Sequence, residues 1–176
     1  MCPMKLLLTG PPDTGKTTVI QKVLSGIEIS AGGFYTHEIR REGRRVGFSL
    51  KTLEGEEGIL AHIDNRGEYR VGRYGVAIDL FETMILPVLE RALREKELIV
   101  IDEIGKMELY SQAFQDMVMR ILDQDERHVL GIIHQGRDPF TAAVKGRSDV
   151  EVIAVSHANR DDLPSQIIMR LQGAVP

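Results

Sequence analysis

Gly10-Pro11-Pro12-Asp13-Thr14-Gly15-Lys16-Thr17 lies between an apolar run, Leu6-Leu7-Leu8, and a stretch of helical periodicity that begins at Thr17. The run reads as a buried strand, and Thr17–Leu24 as a helix closed at Gly26. Between them, the spacing G-x-x-x-x-G-K-[ST] has a chemical meaning. Small residues let backbone N–H groups turn inward around phosphate oxygens, and the helix that follows points its positive end at them. Lys16 is placed to reach the β- and γ-phosphates, and the Thr17 hydroxyl to hold Mg²⁺. The nucleotide-binding candidates here are Gly10, Pro11, Pro12, Asp13, Thr14, Gly15, Lys16, Thr17 and Thr18.

Such a loop needs a second carboxylate for the metal, delivered by another buried strand. Leu98-Ile99-Val100-Ile101-Asp102-Glu103 has the required form. Four apolar residues bring Asp102 to the carboxyl edge of the sheet, where ligands bind in open α/β sheets. Asp102 is the candidate partner of Thr17 at the metal, and Glu103 is placed to orient or deprotonate an attacking water. Leu98, Ile99, Val100, Ile101, Ile104 and Gly105 complete the candidate nucleotide-binding stretch. Lys106, three residues past Glu103, either brings a positive charge to the γ-phosphate or is a surface lysine paired with Glu108.

Around these two motifs the chain alternates. Asp79 and Glu82 fit a capping box, and Phe81, Ile85, Val88, Leu89, Ala92 and Leu93 share one helical face. Pro87 interrupts that helix. Phe114, Met117, Val118, Ile121 and Leu122 give an amphipathic helix after Ser111. Val129–Ile133 and Val150–Val155 read as two further buried strands, and Leu163–Leu171 as a last helix. Gly33–Arg41 and Arg45–Thr52, separated by Glu42-Gly43, and then Gly58–Ala61 read as a hairpin or meander. The expected fold is α/β, with a mostly parallel sheet flanked by helices and an antiparallel β-hairpin insertion at 31–61 within a single domain, 1–176.

Composition excludes other classes. The 176 residues are 43% hydrophobic and 27% charged, the balance of a folded globular chain. A net charge of −4 provides no global field for nucleic acid or an anionic membrane. No stretch approaches the ~20 apolar residues of a membrane-spanning helix. The one cysteine, Cys2, cannot form an internal disulfide, which points to a reducing, cytoplasmic compartment. The five histidines show no zinc-ligand spacing. Arg40, Arg41, Arg44 and Arg45 flank the hairpin turn, to meet RNA or a neighbouring subunit's nucleotide, or to guard a strand edge. His134 and Gln135 follow a buried strand as γ-phosphate sensors or as an ordinary loop.

Asp102-Glu103-Ile104-Gly105-Lys106-Met107-Glu108-Leu109 resembles the signature of a family of small nucleoside-triphosphatases, the cancer-related NTPases also found in thermophiles. So do Gly33-Phe34-Tyr35-Thr36-His37-Glu38-Ile39-Arg40, Val71-Gly72-Arg73-Tyr74-Gly75-Val76 and Asn159-Arg160-Asp161. The resemblance runs from Lys5 to about Leu171. It implies a RecA-like P-loop core that hydrolyses several nucleoside triphosphates slowly, with little base preference. Asp13 departs from the family loop, which usually has Gly there. A like charge ~5 Å from a phosphate repels it by roughly 3 kcal/mol at an effective dielectric of ~20, unless the side chain points to solvent. Two rivals remain. Asn159-Arg160-Asp161-Asp162 looks like a degraded guanine-reading N-K-x-D of switch GTPases, and a nucleotide kinase would use Arg137 and Arg147 in a lid over Gln135–Ser148.

Overall fold

Alternation within the buried strands sets the architecture of the computed structural model, which describes residues 2–173. In β1 (Lys5–Thr9), Leu6 and Leu8 enter one core and Leu7 the other. β7 (Leu98–Ile104) sends Leu98 and Val100 one way and Ile99 and Ile101 the other, and β8 (His128–Ile133) divides Leu130 and Ile132 from Val129 and Ile133. Strands apolar on both sides must be covered on both faces. Helices α1 (Lys16–Ser25) and α5 (Leu163–Leu171) cover the first face. Helices α2 (Ile78–Glu95), α3 (Gln112–Leu122) and α4 (Pro139–Lys145) carry the residues that cover the second. At the centre of that second core, Phe34, Phe81 and Phe114 meet edge to face, with centroids 5.0–6.1 Å apart.

The nine strands of the described residues form one sheet. β2 is Ala31–Arg41, β3 Arg44–Thr52, β4 Glu57–His62, β5 Arg70–Val71, β6 Tyr74–Val76 and β9 Glu151–Ala154. Their order is β5-β6-β4-β3-β2-β7-β8-β1-β9. The pairs from β2 to β9 are parallel, and those from β3 to β5 are antiparallel. The expected mixed architecture is present, with two refinements. β2 belongs to both parts: Ala31–Phe34 pair in parallel with β7, and the strand then runs on to pair antiparallel with β3. The antiparallel part also continues past residue 61 to Val76 through β5 and β6, which are too short to show a periodicity.

Three expectations are corrected. No capping box starts α2: its cap is Ala77, which makes no side-chain bond, and Glu82 instead accepts a 2.6 Å hydrogen bond from Ser111 Oγ. β9 is an edge strand with two exposed residues and is not buried on both sides. Arg147, read as a lid arginine of Gln135–Ser148, is instead bound to Asp149 and Asp123, and the segment holds α4, whose first turn is capped by the Asp138 carboxylate accepting from Thr141 N–H. The other elements fall where the periodicity puts them. Ser111 caps α3 by accepting from Phe114 N–H at 3.0 Å, and α2 runs on through Pro87.

The sheet's lower end holds one buried charge. The Lys5 side chain is 4% exposed and donates to Asp149 at 2.8 Å, with Asp125 at 3.5 Å. Arg147 grips the same Asp149 through both carboxylate oxygens at 2.9 Å and reaches Asp123 at 2.8 Å. The Arg147 and Lys5 hydrogen bonds hold the Asp149 carboxyl well below the usual carboxylate range. A depressed folded value gives stability that is present above the unfolded pKa of ~3.9 and lost as pH falls toward the folded one. Asp149→Asn should therefore cost about 1–2 kcal/mol in urea unfolding at pH 7, a figure discounted for the exposure of Asp149. The difference from the parent should shrink steadily as pH drops below ~4.

Candidate active site

Gly15 caps α1 in left-handed backbone, with φ 91°, a conformation that glycine adopts without a Cβ penalty. No side chain caps this helix, and its first turn contains no acid, so the leading N–H groups remain free for an anion. The loop before it is exposed from Pro11 to Asp13. Asp13 takes φ 62°, as the tolerance of Asp for this region allows, and its residue is exposed. The Lys16 ammonium lies back along the loop, donating to Gly10 O at 2.9 Å and Pro11 O at 2.6 Å, with Thr14 Oγ1 at 3.4 Å. Burial lowers the Lys16 pKa, while the charges of Glu103, Asp102 and Asp13 pull against that fall.

The second half of the site comes from the tip of β7. β8 stands between β1 and β7, so the two tips lie about two strand spacings, ~10 Å, apart. A single hydrogen bond closes the gap: Thr17 Oγ1, on the first turn of α1, donates to Asp102 Oδ2 at 2.7 Å. Asp102 is 1% exposed. Its carboxyl is pushed up to about 7, chiefly by burial, with the Glu103 charge adding to the rise and Thr17, Lys16 and Thr36 opposing it. Glu103 is raised by burial, against Lys16.

Glu108 is a second fully buried acid beside Asp102 that the sequence does not reveal, since its neighbours Met107 and Leu109 mark only a short apolar stretch. It lies 4% exposed in a single 3₁₀ turn, Glu108–Tyr110, and burial together with the Glu103 charge raises it well above the ordinary range. Gly105 makes the close approach of these acids feasible. A Cβ there would sit 2.5 Å from Glu103 Oε1 and 3.0 Å from Glu108 Oε2.

The remaining candidates divide. Thr18 is exposed at the start of α1, beside Arg160. Leu98, Ile99, Val100, Ile101 and Ile104 are corrected from ligand contacts to support, because each is fully buried in one of the two cores. Lys106 is exposed, and among the described residues it forms no ion pair, with Glu108 or any other acid. His134 Nε2 lies 2.8 Å from Thr141 Oγ1 and 3.0 Å from Asp138 Oδ2, which ties the ring to the start of α4. The Asp138-Pro139 pair, a cap followed by proline at the first helical position, is the signal that could have located α4. Arg147 is consumed by Asp149 and Asp123, and Arg40 and Arg45 by Glu38, whereas Arg41 and Arg44 are exposed.

A family model described as NTPase matches residues 5–168. The chain belongs to this nucleoside-triphosphatase family. It is 47% identical over 169 residues to nucleoside-triphosphatase THEP1 of Thermotoga sp. (strain RQ2), with 96% of each chain covered. It is 39% identical over 184 residues to the cancer-related nucleoside-triphosphatase of Homo sapiens, covering 96% of this chain and 97% of that one. Among solved structures, the crystal structure of THEP1 from the hyperthermophile Aquifex aeolicus is similar, with a TM-score of 0.88 and 36% identity over 96% of this chain and 99% of that one. The solution structure of the human cancer-related enzyme gives a TM-score of 0.80 and 37% identity, over 98% and 100%. NTPase-family membership places the chain among hydrolases.

The strain of this site should be measurable in the protein alone. An acid whose folded pKa is raised is stabilising below its unfolded value of ~3.9, and that stability is lost as pH rises through the folded value of about 7. Asp102→Asn keeps an acceptor for Thr17 and removes the charge. In nucleotide-free protein with EDTA, it should raise stability at pH 8 by an amount on the order of 2 kcal/mol, seen as a higher Tm. The gain should shrink as pH falls and disappear only below about pH 4.

Proposed function

We propose that the chain is a Mg²⁺-dependent nucleoside-triphosphatase that cleaves ATP, GTP, CTP and UTP or TTP to the diphosphate and phosphate, slowly and with little regard for the base. The observation that carries this is the Thr17–Asp102 hydrogen bond, which joins the phosphate loop to the acidic strand tip. The donor set fits the metal. A hydroxyl and a carboxylate 2.7 Å apart are hard oxygen donors, and Mg²⁺ is held by one or two such groups together with substrate phosphates and water. Among the described residues no cluster of three or more His, Cys, Asp or Glu is arranged to hold a metal by itself. Bound between Thr17 and Asp102, Mg²⁺ would supply charge neutralisation at the phosphate oxygens.

The chain's own groups do the rest. Free N–H groups of the loop and of the first turn of α1 bind the phosphates, and Lys16, already inside the loop, neutralises the terminal ones. Glu103, with its raised pKa, takes a proton from the attacking water as the oxygen moves in line toward the γ-phosphorus. The low expected rate, below the ~1–100 s⁻¹ of kinases, follows from what surrounds the site. Lys106 is exposed, and Arg147 is held by Asp149 and Asp123. With Arg147 bound in this way rather than free to screen an acceptor, water is the natural acceptor. No helix is long and apolar enough to cross a membrane among the described residues, and we place the protein in the reducing cytoplasm on the strength of its one cysteine, which is exposed and free.

Phosphate release from the four nucleotides, with Mg²⁺ and with EDTA, tests this function. Release should occur with all of them and stop in EDTA. Glu103→Gln should lower kcat by about 100-fold or more while still binding nucleotide, and Lys16→Ala should weaken both steps. EDTA-insensitive release, or a parental rate in Glu103→Gln, would contradict it.

A further inference from the structure

Beside the phosphate loop lies an open cavity of about 240 Å³ lined by Gly15, Thr18, Val19, Lys22, Arg160 and Asp161. We propose that it is the nucleobase seat, and that Arg160 grips the base by its flat face while nothing fixed reads its hydrogen-bonding edge. The proposal rests on the nucleoside-triphosphatase function above and names how its substrate is held.

Size and place come first. Pockets that enclose a whole ligand usually measure ~300–1,000 Å³, so this one suits part of a nucleotide. It adjoins Gly15 and the first turns of α1, where the phosphates would sit, so a triphosphate bound there puts its sugar and base within reach of this wall.

Arg160 supplies the surface. Its Cδ lies 3.5 Å, and its Nη1 4.0 Å, from the point where Gly15 would carry a Cβ, so the side chain lies against the phosphate loop itself. The residue is half-buried. Its backbone N–H donates to Ser156 O at 3.0 Å, but its guanidinium is absent from the ion pairs and side-chain hydrogen bonds of the described residues. Every other half-buried arginine among the described residues is bonded: Arg45 to Glu38, Arg91 to Glu54, Arg127 to the Leu93 carbonyl and Arg147 to Asp149. A planar cation left free in a cavity is a stacking platform for an aromatic ring.

Edge readout has no equipment. Asn159, the residue of this segment best suited to read a base, is spent on its own loop. Its Oδ1 accepts from Ser156 N–H at 2.8 Å, and its Nδ2 donates to Ala154 O at 2.9 Å. Asp161 lines the cavity but is exposed, so water competes for its carboxylate. Purines and pyrimidines all have a π-face, and stacking tolerates any of them. The segment that looked like a guanine reader is thus a base holder without base choice.

Calorimetric Kd values for ADP, GDP, CDP and UDP, and for inorganic pyrophosphate, test the seat without turnover. Arg160→Ala and Arg160→Lys should each weaken all four diphosphates by about 5- to 20-fold and leave pyrophosphate within about twofold. Thr18→Phe, at an exposed helical position that also lines the cavity, should give the same pattern by filling it, which keeps the test alive if the Arg160 variants fail to fold. Equal weakening of pyrophosphate would make Arg160 a phosphate ligand and overturn the proposal. So would an effect confined to one base, no effect on any, or full affinity in Arg160→Lys. If wild-type protein hydrolyses nothing yet shows this binding pattern, the hydrolytic function fails and the seat stands. Hydrolysis with unchanged binding in the variants gives the reverse.

Discussion

Two strand tips separated by an intervening strand act as one site only if something holds them together, and here that is a hydrogen bond from Thr17 to a carboxylate buried to 1% exposure. The bond ties the first turn of α1 to the end of β7 across the tip of β8. It has this effect because both ends are rigid: β1 and β7 are packed on both faces, and α1 is anchored by Val19, Ile20 and Val23. A site mounted on such elements holds its geometry more closely than one built on loops. Everything that follows, from the placement of Glu103 to the free N–H groups of the loop, inherits its position from that frame.

The same frame makes the site expensive in its resting state. Three acids, Asp102, Glu103 and Glu108, are withdrawn from water within one short segment, and burial raises all of them. Lys16 is the nearest compensating charge, and burial weakens it in turn. Desolvated like charges are the arrangement a cation would relieve, so the metal proposed from the geometry is also favoured by the electrostatics. Gly105 shows how tightly this is packed, because a single added carbon would collide with two of the carboxylates.

Most of this was legible in the sequence, for reasons that can be stated. Leu6–Leu8 and Leu98–Ile101 are continuous apolar runs because they are covered on both faces, and their tips carry the two motifs. The strong periodicity of α3 comes from a single well-defined apolar stripe. What escaped lacks a periodic signature. β5 and β6 hold two and three residues, β9 reads apolar yet lies at an edge, and α4 spans only seven residues. Glu108 is buried by tertiary packing with no local cue. The apparent capping box at Asp79 and Glu82 failed because the helix starts at Ile78, which puts Asp79 inside the first turn, and the Glu82 carboxylate accepts from distant Ser111 instead. Asn159-Arg160-Asp161 was visible as a motif, but its chemistry depends on which side chains the loop itself consumes.

The most direct measurement is a crystal structure of the protein with Mg²⁺ and a non-hydrolysable nucleoside triphosphate analogue. The account predicts the metal between Thr17 Oγ1 and the Asp102 carboxylate, the phosphates wrapped by Gly10–Thr17, and Glu103 facing the γ-phosphorus. A triphosphate bound elsewhere, or a metal on the loop with Asp102 turned away from it, would contradict the claim that these two tips form a single catalytic site.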